Sequence, residues 1–573
     1  AVKMDNRTEY EKIVIPTYET GKAEELPIFF EKRANQGASS KIYPMPYTDK
    51  LSDDRRNKTY NAIVLENKYI KVTALPEIGG KIHCATDKST GYDFVYDNKV
   101  IKPAMIALAG PWVSGGIEFN WPLHHRPTTF DGTFSKIVEN GDGTKTAWMG
   151  ENEPYNRTKG MVGLTVPPDR SYVKAEVSLY NATPVARPFL WWANLAVEIN
   201  ENYSVVFPPD VEYVNDHDRR AVLSWPVAKG RFDTARPYDY GTGKDIHYHR
   251  NIVVPSSFMV SKGQSDSDFL CGYDLGKQCG TVTVANHYIA PGKKLWTWGN
   301  NPFGYKWCSN LTDDGSRYVE LMTGCYADNQ PDFTYIAPYE TKRFTQYWYP
   351  VHDIGEVKNA TIDAAVNLEK EGRGCKVGFC VTGVFDNCRI EVRDKGRLVL
   401  EARADLSPEK TWIGHACCTL KAGTSAALFD QNGNCLVRYE VCERGNRKPV
   451  EPRIPSPRPK DIPTVEELYL HGKHIVQYKH FTLDAKDFYE EGLRRDPADA
   501  RCNEGMGDLL YDQGRFAEAL KYYDRAEERL ELRNANPENT DVLYKRGLCK
   551  RALGMDKDAY QDLYWSVWSF KNR

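Results

Sequence analysis

The sequence has no apolar run approaching the roughly 20 residues that span a bilayer, no Cys-x-x-Cys pair, and no surplus of charge, with 76 Lys and Arg against 78 Asp and Glu. The first absence argues against a membrane-spanning helix. The second removes zinc ribbons and thioredoxin-like redox motifs. The third leaves no electrostatic footprint for nucleic acid or an acidic membrane surface, so neither is expected as a partner. No apolar signal core opens the chain, which begins AVKMDNRTEYEK, and its 14 cysteines are scattered apart from the adjacent Cys417 and Cys418. Such cysteines read as small buried side chains in a reducing compartment. A cytoplasmic protein without a cofactor is expected, although a signal removed from a mature chain would leave the same sequence.

What the chain does have is length and rings. Its 573 residues exceed one hydrophobic core and predict about three domains. Aromatics reach 12%, with 13 Trp and 35 Tyr, more than cores usually need and suited to stacking on the apolar faces of sugars. From about residue 60 to 350 the sequence reads as short β-branched and aromatic strands, such as SYVKAEVSLYNATP and GTVTVANH, separated by Gly, Pro, Asn and Asp. This predicts one large antiparallel sandwich, with residues 1–59 packing on it. Residues 351–447 repeat the pattern on a smaller scale, as an immunoglobulin-like sandwich. Six prolines among the sixteen residues of KPVEPRIPSPRPKDIP make 448–463 an extended spacer. The fold class predicted is therefore mainly β with an α-helical C-terminus.

In residues 464–573 the periodicity becomes helical. Tyr489, Pro497, Gly507, Ala519, Tyr523, Ala526, Gly547 and Ala559 fall at the small, aromatic and turn positions of a 34-residue helix–turn–helix unit. These residues resemble tetratricopeptide repeats, and the resemblance implies a protein partner on a concave face. The third unit reads as cut short near Arg573, so a longer natural chain is expected.

The stretch RYVELMTGCYADNQPDFTYIAPYETKRFTQYWYP resembles the closing segment of the aldose 1-epimerase (galactose mutarotase) superfamily. That resemblance implies a β supersandwich and lays the role of general base on Glu320. TPVARPFLWWANL resembles a second landmark of the superfamily, but Leu190 stands where its general-acid histidine would be. GGIEFNWPLHHRPTTF, WWANLAV, FPPDVEYVNDHDR, WGNNPFGYKWCSNLTDD and YADNQPDF together resemble a bacterial family of unknown function that joins a mutarotase-like domain to tetratricopeptide repeats.

Ser114 to Phe130 is the densest chemical stretch. Glu118 can give or accept a proton, His124, His125 and Arg126 can bind hydroxyls, and Trp121 can stack on a sugar face. Adjacent histidines on a strand point to opposite faces, which argues against both holding one metal ion. Asp210, His217, Asp332 and Trp192 complete the expected substrate-binding set, with clustered aspartates leaving a calcium site as an alternative. Glycoside hydrolysis needs two carboxylates across the bond, for which Glu320 and Glu118 are the expected pair, acting on an oligosaccharide or glycoside. The alternatives are an epimerase whose missing acid is replaced by His124, His125 or His217, and a non-catalytic sugar-binding scaffold. A small pocket with one Glu and one His would favour epimerisation.

Overall fold

The segment Val173–Asn181, VKAEVSLYN, buries every second residue along its length. That period of two is what a strand shows when one face meets a core. In the computed structural model, which describes residues 6–24, 45–122, 125, 129–154, 156–216, 219–234, 236–261, 263–325, 334–478 and 483–572, such strands build two large antiparallel sheets. One runs from Arg7–Thr20 at its edge to Val222–Ser224, and the other from Tyr203–Val206 to Phe134–Glu139. Between them lies a continuous core in which Ile117, Phe119, Leu195 and Leu321 of the first sheet meet Leu164, Val177 and Trp348 of the second. The large β domain is thus a supersandwich.

The N-terminal segment does more than pack on this sandwich. Arg7–Thr20 pairs antiparallel with Leu51–Glu66, from Arg7 opposite Glu66 to Thr20 opposite Leu51, and so supplies an edge strand. Pro16, which cannot donate a ladder hydrogen bond, is tolerated at such an edge. The smaller β domain has two four-stranded sheets between Asn359 and Glu440, closed over Val366, Phe379, Ile390 and Leu428. Arg444 donates to the carbonyls of Val211 and Trp225, and Gln264 to that of Lys448, so the chain leaving this domain lies along the large sandwich.

Residues 454–573 belong to a second compact unit. Among the described residues it has three helix pairs: Val465–Tyr478 with Ala485–Arg495, Ala500–Asp512 with Phe516–Glu531, and Asp541–Ala552 with Asp556–Ser566. Its small residues are explained by ring contacts. A Cβ on Gly507 would lie 2.4 Å from the Tyr523 ring, and one on Gly472 would lie 2.4 Å from that of Tyr489. Backbone and ring therefore touch where paired helices approach most closely.

Ion pairs cross between the two β domains, Arg170 with Asp363 and Lys68 with Glu409, and a third ties the large sandwich to the segment leading into the smaller one. His247 lies 2.5 Å from Asp245 through Nδ1 and 3.1 Å from Glu356 through Nε2. Burial opposes its charge, but these two hydrogen-bonded carboxylates raise its pKa to about 9. Because this exceeds the ordinary value of about 6.5, the stabilisation is complete below that pH and is lost as pH rises through about 9. His247→Gln is expected to lower stability by about 2 kcal/mol in denaturant melts near pH 6, with the difference shrinking above pH 9.

Candidate functional site

Strand pairing builds the site. Ile117–Asn120, Trp192–Glu198, Tyr318–Gly324 and Gly292–Thr297 are consecutive neighbours in the first large sheet. Glu118 is opposite Asn194, Glu320 is opposite both Ala196 and Trp296, and Lys294 is opposite Met322. Residues paired across an antiparallel ladder project from the same face. The face turned away from the core therefore carries Glu118, Asn120, Trp192, Asn194, Lys294, Trp296 and Glu320 together. The pairing of Ile82 with Ile117 puts Lys81, one residue before Ile82, on that face beside Glu118.

Glu118 is the most tightly held of these groups. Thr129 donates to Oε1 at 2.5 Å, Trp112 and Asn194 donate to Oε2 at 3.1 and 3.4 Å, and His125 Nδ1 lies 3.2 Å from Oε2. Burial disfavours its charge, yet the His125 charge and these hydrogen bonds outweigh burial and hold its pKa well below the usual carboxylate range. Burial likewise opposes the His125 imidazolium, and the Glu118 charge overcomes it and raises the pKa. His125 has φ of 45°, a left-handed conformation, and its ring meets that of Trp112 edge-on at 5.6 Å.

Glu320 is the opposite case. Among the described residues no side chain donates a hydrogen bond to it, and burial pushes its pKa up to about 7, with Glu118 raising it further and His125, Lys294 and Lys81 opposing. Burial also lowers Lys81 to about 8 and Lys294 to about 7, and the Lys294 ammonium lies 4.6 Å from the Trp192 ring centroid. The site thus sets one locked anion, Glu118, against one carboxyl poised to exchange a proton near neutrality, Glu320. Environments that push the pKa values of neighbouring carboxyls apart are what acid–base chemistry uses.

Two expected binding residues are placed elsewhere. Trp121 has the parity of Phe119, so it turns into the core, where it is 2% exposed and a Cβ on Gly160 would lie 2.2 Å from its ring. It has no face to offer a sugar. Asp210 accepts from the Asp266 N–H at 3.3 Å, lies 3.6 Å from Arg447, and acts on Lys293, which leaves the face opposite to Lys294. It does not join Glu320. Trp192 is on the site face, while His124, Arg126, His217 and Asp332 lie outside the described residues. Leu190, at the position of the superfamily's acid, is fully buried against Trp192 and Met322.

Lys81, Lys294, Asn120 and Asn194 are site residues that sequence reasoning missed; a lysine inside an apolar strand, as in GGKIH and GKKLW, was the available signal. Conversely, Asn300 and Asn301 serve the backbone. Asn300 donates to the carbonyls of His249 and Ile252, and Asn301 caps the helix Pro302–Leu311. Asp216 accepts from the N–H groups of Arg220 and Ala221, as a turn residue does. Among the described residues, no group of three or more His, Cys, Asp and Glu is arranged to hold a metal ion.

Residues 38–351 match the family described as a domain of unknown function, DUF5107. Residues 359–439 match the second domain of YphG-like proteins, and tetratricopeptide repeat matches cover 482–537 and 505–563. Among solved structures, the chain is similar in fold to a TPR-domain containing protein from Parabacteroides distasonis, with 16% identity and a TM-score of 0.54 over 99% of this chain and 87% of that one. It also aligns with galactose mutarotase-like proteins from Lactobacillus casei (9% identity, TM-score 0.32, 51% of this chain and 100% of that one) and Clostridium acetobutylicum (12%, 0.35, 51% and 96%).

Replacing Glu118 by Gln removes the charge that raises the His125 pKa. In Glu118→Gln the His125 pKa is expected to fall below the ordinary histidine value, as followed by NMR titration of the ring, with a stability loss of about 3 kcal/mol. An unchanged His125 titration would contradict the pairing.

Proposed function

The chain belongs to the DUF5107 family, and we propose that its large β-sandwich is a carbohydrate-active enzyme in which Glu320 and His125 move protons at the anomeric centre of a sugar. The observation that carries this reading is the contrast between Glu320, buried with its pKa near 7, and Glu118, a locked anion engaged with His125. Both oxygens of Glu118 are taken by donors, which suits an orienting group better than a nucleophile. One proton-exchanging Glu with one His favours an epimerase-like or mutarotase-like isomerisation. Glu320 would take the proton of the C1 hydroxyl as the bond from C1 to the ring oxygen breaks. His125, with Nδ1 committed to Glu118, would give a proton to the ring oxygen through Nε2. Closure on the other face reverses both transfers. Trp296, half-buried and paired with Glu320, offers a ring for stacking.

Glycoside hydrolysis is the second reading, favoured by the same pKa contrast if Glu320 is the proton donor and Glu118 the ionised partner. The two readings have opposite pH dependence. A base must be deprotonated, so kcat/KM for anomer exchange is expected to climb as pH rises through about 7; a hydrolytic acid would make the rate fall through the same range. Polarimetry on reducing sugars, run beside product detection on aryl glycosides and oligosaccharides, separates them. Glu320→Gln is expected to reduce turnover on the order of a hundredfold or more with little change in binding. Activity equal to the parent on every substrate would leave a non-catalytic sugar-binding role.

The helical repeats are proposed to bind a protein partner, since their sequence-identifiable residues are used in packing helix on helix. A chain ending at Arg453, the limit of the first compact unit, is expected to keep its sugar-induced thermal shift. Loss of that shift in a folded truncation would show that the repeats help build the site.

A further inference from the structure

In the helical repeats one face is built against the pattern of the rest. Tyr489, Tyr523 and Leu563 hold the same place in the second helix of each pair, because a Cβ on Gly472, Gly507 or Gly547 of the first helix would lie 2.4, 2.4 or 2.8 Å from them. One, two and five residues beyond that place, the first pair has Glu490, Glu491 and Arg494 and the second has Asp524, Arg525 and Glu528. The third has Tyr564, Trp565 and Trp568, which are 52%, 43% and 66% exposed. With Tyr560, 71% exposed, they form an unbroken run of ring contacts: Tyr560 on Tyr564 at 6.2 Å, Tyr564 on Trp565 at 6.2 Å and Trp565 on Trp568 at 5.6 Å. Phe570, 85% exposed, follows the run. Repeat surfaces that face water are polar, so an aromatic one of this extent needs a cover. In the second pair the position of Tyr564 does meet a neighbour, since Asp524 lies 3.8 Å from Arg546 of the pair that follows.

We propose that a second copy of this chain covers this face, the two helices Asp556–Ser566 packing antiparallel about a two-fold axis. At about 200 Å² for a fully exposed aromatic residue, the five rings leave on the order of 600 Å² open, the upper end for the largest apolar patch of a monomer. With a polar rim the face reaches the roughly 800 Å² that each partner gives to a stable interface. A two-fold contact requires a patch complementary to itself. This one qualifies, because rings stack on rings and its two ends carry opposite charge. Asp556 and Asp558 are exposed in the first turn of the helix, and Lys571, 65% exposed beside Asp541, lies beyond Trp568. Antiparallel packing sets the acids of each copy against the lysine of the other and aligns the two helix dipoles favourably. This self-docking goes beyond the sugar chemistry, on which it does not depend, and gives one face of the repeats a defined occupant.

The test measures the mass of the full chain in solution by sedimentation equilibrium. At tens of micromolar the parent is expected to have the mass of two chains. A triple variant, Tyr564→Asp, Trp565→Arg and Trp568→Glu, gives the third pair the residues that the second has at the same positions. It is expected to have the mass of one chain with its helical circular dichroism retained, a rise in dissociation constant on the order of a hundredfold or more. Asp556→Lys leaves every ring in place and changes only an exposed side chain, so it keeps the test open should the triple variant fail to fold. It is expected to raise the dissociation constant about tenfold at low salt and less at high salt, because it sets like charges against each other across the two-fold axis. A parent that stays monomeric overturns the proposal and leaves the face to a different protein. A folded triple variant that still has the mass of two chains overturns it too, because the contact then lies elsewhere. An Asp556→Lys dimer as tight as the parent's overturns the antiparallel pairing.

Discussion

A carboxylate that stays charged inside a protein needs donors around it, and Glu118 has them from four directions: His125, Trp112, Thr129 and Asn194. The rest of the site follows from this one held charge. It raises the pKa of the His125 imidazole, places a second negative field near Glu320, and ties Thr129 and His125 to the strand Ile117–Asn120. Because Glu118 is on a strand and its donors come from a neighbouring strand, a hairpin and a loop, its position is determined by the fold as a whole. Sites held in this way by a surrounding shell keep the precision that proton transfer requires.

The lysines complete the balance. Burying Lys81 and Lys294 on the same face as Glu320 brings acid and base pKa values towards neutrality from both sides, to about 8 and 7 for the lysines and about 7 for Glu320, while Glu118 moves the other way. Desolvation drives the shifts of the lysines and Glu320, and opposite charges restrain them. Removing any one charge would leave its neighbours buried without compensation, so the group behaves as a unit.

Much of the architecture was legible by periodicity. Alternation in VKAEVSLYN and the small and aromatic positions from Tyr489 to Ala559 each report a local constraint that the fold obeys. The edge strand Arg7–Thr20 was hidden because it is largely solvated and contains a proline, features that read as a connecting segment. Glu118 and His125 stood out as chemistry-bearing residues in Gly-rich text, whereas Glu320 was marked only by the resemblance to the aldose 1-epimerase superfamily. Lys81 and Lys294 did not, because their strands are buried on both faces and show no polar alternation. Trp121 was legible both as a core aromatic and as a sugar-stacking ring, and counting by two from Phe119 assigns it to the core.

That parity is also what couples the core to the chemistry. The four residues Ile117–Asn120 alternate between the two, with Ile117 and Phe119 packed against the second sheet and Glu118 and Asn120 turned to the site. Phe119 stacks on Trp191 at 5.8 Å, and Trp191 immediately precedes the strand that bears Trp192 and Asn194. A displacement of these rings would move both strands, and with them the spacing between Glu118 and Asn194 that anchors the carboxylate. Interiors are packed too closely for one face of a strand to shift while the other stays in place. The aromatic core under the sheet therefore acts as the support that holds the proton-transfer groups in register, although none of its rings reaches the site.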